Sequence, residues 1–129
     1  MDTRIDHLTG GIYRISTWAP DYRITFNQFL IDDERPALIH TGEYAAYDQI
    51  RRAIAQVLDP KRLAYVALLH WEGDENGGMD RFMRDAPEAE LVGSALSIDH
   101  DGQVAQRLGR IWFDCQSLAK TLLGRGQVA

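Results

Sequence analysis

The chain has 129 residues, 45% of them hydrophobic and 26% charged, the make-up of one globular domain with a real core. Its net charge of -5 leaves no basic footprint for a phosphate backbone, so nucleic acid is not an expected partner. Cys115 is the single cysteine, which excludes an internal disulfide and a thiolate zinc cage; a chain that opens Met-Asp-Thr-Arg and holds no run of about 18 apolar residues is expected in the cytoplasm, without membrane contact.

Gly10 and Gly11 open a run over 12–18 whose mixed alternation predicts an early, partly exposed strand. Residues 24–31, rich in β-branched and aromatic side chains, predict a second strand ending at the turn signal Asp32-Asp33-Glu34-Arg35-Pro36. Residues 37–41 then complete a hairpin. From Tyr44 the period changes: Tyr47, Ile50, Ile54, Val57 and Leu58 share one face, predicting an amphipathic helix over 44–58 that Asp59-Pro60 ends. Residues 63–69 are almost continuously apolar, as in a strand covered on both faces. A short helix over 79–86, stopped by Pro87, and a strand over 89–93 follow. This β-α-β-loop-α-β order argues for a sheet with helices packed against it. Further on, 97–102 reads as loop, and 103–108 and 112–123 have helical patterns.

The buried strand delivers the chain to His70-Trp71-Glu72-Gly73-Asp74-Glu75-Asn76-Gly77-Gly78. In extended backbone residues 70, 72 and 74 point to one side, so His70, Glu72 and Asp74 converge as candidate metal ligands. A His-x-Glu-x-Asp run is expected about 0.02 times by chance in this composition. Its place after a buried strand is where open α/β sheets bind ligands. The competing reading is an acidic surface turn. A carboxylate as the second ligand makes the site hard and anionic, which suits iron or manganese better than zinc.

The run His70-Trp-Glu72-Gly-Asp74-Glu-Asn-Gly-Gly resembles the metal loop of the metallo-β-lactamase superfamily, and more closely the His-x-Glu-x-Asp form of flavodiiron and related oxygen-binding di-iron proteins. Residues 25–31 and 36–42 resemble the family's paired N-terminal strands, and the resemblance spans about residues 5–94. It implies an α+β fold, the αββα metallo-β-lactamase-like sandwich, of which this chain carries the N-terminal half. It implies that His70 and Glu72 bind one iron and Asp74 the other. Glu75 stands where the superfamily commonly has His, a further candidate ligand. The implied activity is reduction of dioxygen or nitric oxide at a non-haem di-iron centre, with zinc or manganese as alternative metals and electrons from a flavin-containing donor.

Against that pattern the chain is short: the family's second half supplies further His and carboxylate ligands, and residues 95–129 do not match it. A truncated product of a longer gene is the favoured explanation, ahead of a homodimer or partner chain that completes the fold and a half-domain without chemistry, and an apolar sheet face left uncovered predicts dimerisation or poor solubility. A dizinc hydrolase, with Asp74 orienting a metal-bound hydroxide, and a vestigial module are the alternative functions. His40, where many relatives have Asp, is expected in a core or supporting hydrogen bond, and His7 and His100 on the surface.

Overall fold

The computed structural model describes residues 1–93. The patterns at 97–102, 103–108 and 112–123, with His100 and Cys115, lie outside the described residues. Six strands form one sheet in the order β1-β2-β3-β4-β5-β6. β1 (Asp2–Thr9), β2 (Ile12–Ala19), β3 (Ile24–Ile31) and β4 (Ala37–Ile39) pair antiparallel in sequence. β5 (Tyr65–Leu68) and β6 (Glu90–Gly93) continue the sheet in parallel. Parallel neighbours need a crossover: α1 (Tyr47–Ile54) supplies one, and α2 (Gly73–Asn76) with α3 (Met79–Asp85) the other.

The expected strand at 12–18 and the hairpin of 24–31 with 37–41 are present, β4 being shorter because the chain turns away at His40, where φ is 60°. The helix expected over 44–58 begins as a 3₁₀ turn, Tyr44–Ala46, and its regular part ends at Ile54. β1 has no counterpart among the expected elements. Asp2 and Arg4 are exposed, Asp6 is half-buried in ion pairs with Arg4 and Arg14, and Ile5 is the β1 side chain that packs on the core. Charge of this kind hides a strand from hydrophobic pattern and protects a sheet edge from pairing with other chains.

One face of the sheet carries the core. Ile15, Leu30, Leu38, Val66 and Leu68 meet Ile50 and Ile54 of α1 and Phe82 of α3, all buried. The strand register puts Ile12, Trp18, Phe29, Ile39 and Val92 on the other face; there Ile12 and Trp18 are exposed and the rest half-buried. No helix among the described residues is long and apolar enough to cross a membrane.

Candidate metal centre

β4 and β5 are adjacent and parallel, so their C-terminal ends leave the sheet at one edge. His40 follows the last residue of β4, and His70 lies two residues past β5. The His40 amide donates to the Ala67 carbonyl (2.8 Å), extending the ladder one step before its left-handed φ redirects the chain. The next two amides, of Thr41 and Gly42, both donate to the Glu75 carbonyl at 2.8 Å, and the Gly78 amide donates to the Gly42 carbonyl (3.1 Å). The loop after β4 thus grips α2.

Gly77 and Gly78 permit that grip. A Cβ on Gly77 would stand 2.6 Å from the Tyr44 nitrogen, and one on Gly78 3.0 Å from the Thr41 carbonyl oxygen. The contacts are to backbone, which cannot swing aside. Gly77→Ala is expected to cost about 1–3 kcal/mol by overpacking, seen as a lower Tm with the far-UV spectrum retained.

The extended path expected through residue 74 ends earlier, because Gly73–Asn76 is a turn of helix. Asp74 and Glu75 fall in its first turn, where free amides and the helix dipole favour carboxylates. Glu75, rather than Asp74, therefore turns back toward His70. His40, His70 and Glu75 offer one ligand atom each, all within 4.8 Å of one another, the one such group of three among the described residues. Glu72 lies at its margin, its Oε2 3.5 Å from His70 Nδ1, and is largely exposed. Asp74 is exposed and outside the group.

Within the group, Glu75 Oε2 is 2.7 Å from His70 Nε2 and 3.5 Å from His40 Nδ1. That oxygen is buried and forms no hydrogen bond with either ring. The two imidazoles stand 4.6 Å apart between centroids. His40 is buried, whereas the side chain of His70 is half exposed, so the group opens to solvent on the His70 side. Asn76, buried below, donates its amide nitrogen to the His70 carbonyl (2.7 Å) and so turns its oxygen toward His40 Nδ1 at 3.1 Å. His40 thus makes the supporting hydrogen bond expected of it, but it also faces the candidate ligands. Its signal in the sequence is shared with His70: each ends an apolar strand of the parallel pair. His7, as expected, is exposed, its Nε2 2.6 Å from the Gly10 carbonyl oxygen.

Two imidazoles and a buried carboxylate oxygen without a hydrogen-bond partner fit a divalent first-row metal ion. No family model matches the chain. Among curated proteins it is similar to Flavo-diiron protein FprA2 of Clostridium acetobutylicum, 30% identical over 74 residues, or 57% of this chain and 18% of that one. Among solved structures it is similar to rubredoxin oxygen:oxidoreductase of Desulfovibrio gigas (TM-score 0.67, 22% identity, 86% of this chain and 29% of that chain). It is also similar to MEM-A1, a subclass B3 metallo-β-lactamase from a soil metagenome library (TM-score 0.63, 19% identity, 73% of this chain and 34% of that chain). The chain spans less than a third of the solved oxidoreductase structure and less than a fifth of the curated relative. Sheet order, the placing of the loop at the parallel strand ends and these similarities show a partial metallo-β-lactamase-like fold, similar in sequence over part of its length to flavodiiron proteins.

Proposed function

We propose that the chain is a metal-binding part of a flavodiiron-like protein, with non-haem iron as its metal. The observation that carries this reading is the loop His70 to Gly78 at the C-terminal ends of β4 and β5, where His70 and Glu75 already converge. His70, Glu72, Asp74 and Glu75 are the proposed ligands, His70 and Glu72 for one iron and Asp74 for the other. Asp74 and Glu72 are exposed, so a second group of ligands can reach them from outside the described residues. In this proposal the described residues form the N-terminal half of one sandwich, and the remaining ligands come from a partner chain, a second copy or further sequence. The exposed Ile12 and Trp18, with half-buried Phe29 and Ile39, give that other part an apolar sheet face to cover.

A bound di-iron centre would supply electrons to dioxygen or nitric oxide and would itself be recharged by a flavin-containing donor. The chain's own residues have other tasks: Asn76 orients His40, the clamp at residues 40–42 holds α2, and Glu75 sets a negative charge between two imidazoles. The test is metal analysis of the full chain purified without oxygen. Iron is expected, and His70→Ala should lower occupancy at least tenfold and abolish the rise in Tm on adding Fe(II), which at 100 times Kd is worth about 2.7 kcal/mol. Zinc retained in preference to iron would favour the dizinc hydrolase reading. Unchanged metal content in His70→Ala would favour the vestigial one.

A further inference from the structure

We infer that His40, with His70 and Glu75, forms a mononuclear two-histidine, one-carboxylate site that this chain assembles by itself, for a divalent first-row ion such as Fe(II), Co(II) or Zn(II). The inference rests on the proposed metal-binding role of the loop and deepens it: to His70 and Glu75 it adds His40, 30 positions upstream of His70, as a ligand that holds one ion before further ligands join Glu72 and Asp74.

Spacing is the first argument. Ligands at about 2.0–2.2 Å from an ion lie roughly 3–4 Å from each other. The three side chains bring one ligand atom each to within 4.8 Å of the others, close enough for an ion to draw them together, with Glu75 Oε2 2.7 Å from His70 Nε2. Direction is the second. Glu75 Oε2 is buried beside both rings without a hydrogen bond to either. Groups that satisfied one another would align donor with acceptor, whereas ligands of an ion point at the ion.

The backbone supplies the third argument. His40 holds a φ of 60°, unusual for a residue with a Cβ. The conformation is kept by the His40 amide on Ala67 and by the Thr41 and Gly42 amides on Glu75. Strain held by surrounding bonds is characteristic of sites where one side chain must point one way. The last argument is the tautomer. Because Asn76 gives its amide protons to the His70 carbonyl, its oxygen accepts from His40 Nδ1, and Nε2 keeps the lone pair. Metal-bound histidines are held in this way, the second ring nitrogen donating to a fixed oxygen. Asn76 is a positioning residue.

The experiment is titration of the full chain with Co(II) and Zn(II), read by calorimetry and by the Co(II) absorption bands. His40→Asn is the first variant, since Asn tolerates positive φ but is too short to replace the ring. The expected results are one ion per chain in the wild type, a Kd raised at least about 50-fold in His40→Asn, and a change under about threefold in Glu90→Gln, which alters an exposed carboxylate outside the site. Asn76→Ala should raise Kd about 10- to 100-fold. If His40→Asn binds like the wild type while Glu72→Gln and Asp74→Asn lose the ion, the inference fails and the proposed ligand set stands. If the wild type binds neither metal, both fail. Should His40→Asn not fold, wild-type imidazole NMR decides: shifts of both His40 and His70 on adding Zn(II) support the site, and an unmoved His40 overturns it.

Discussion

Phe82→Ala is expected to lower the free energy of unfolding by about 3–5 kcal/mol, the range for truncating a buried aromatic side chain. Phe82 is fully buried on α3 and sits edge-on to the ring of Tyr47 at 4.8 Å between centroids. It also reaches the site: its ring carbon Cε2 is 3.6 Å from where a Gly78 Cβ would stand, and its amide donates to the Gly78 carbonyl at 3.1 Å. A cavity there removes packing from α1, α3 and the base of the metal loop together. In a domain with a total stability of about 5–15 kcal/mol, the loss leaves little margin. Equilibrium denaturation measures it, and Phe82→Leu, which keeps most of the volume, should cost much less. A loss below about 1 kcal/mol in Phe82→Ala would show that α3 is not part of the core.

Most of this core was readable from periodicity. Ile50, Ile54, Phe82 and the apolar run before His70 are buried where their patterns place them. β1 was not readable, because an edge strand buries one side against α1 and leaves Asp2 and Arg4 exposed. The site was readable in part. His70 and Glu75 belong to one loop and meet within it, so local sequence announces them. The turn at Gly73 that separates Asp74 from them is set by a helix of four residues, too short to leave a period. His40 reaches the group through the pairing of β4 with β5 and through a positive φ. Neither is local to residue 70, so no motif around the loop contains it.

Asp85→Asn is expected to cost about 1.5–3 kcal/mol, the range for hydrogen bonds to a charged group, and the lower part of it because the Arg51 side chain is 36% exposed. Asp85 Oδ2 accepts from the Tyr47 hydroxyl and from Arg51 Nε, the latter at 2.6 Å. The guanidinium of Arg81 lies 3.7 Å above the Tyr47 ring. This cluster ties α1 to α3 and so supports the segment that carries Glu75.

The same contacts give the cost a pH dependence of known sign. Burial raises the Asp85 carboxyl, but the Tyr47 hydroxyl and Arg51 outweigh it and hold it below the usual carboxylate range. Its contribution is therefore complete above the unfolded value and disappears as pH falls through the lower folded one. Tyr47 is pushed up to about 12, by burial first and then by its bond to Asp85. Its contribution is complete below the ordinary value of 10.0 and is lost as pH rises toward about 12. The stability difference between wild type and Asp85→Asn should then be flat near neutrality and shrink at both ends. Tyr47→Phe should abolish the alkaline decline, because no phenol remains to ionise, and weaken the acid one, because one donor to Asp85 is gone. Thermal denaturation across pH tests both, and a difference that stays constant from acid to alkali would show that neither group's ionisation is coupled to folding.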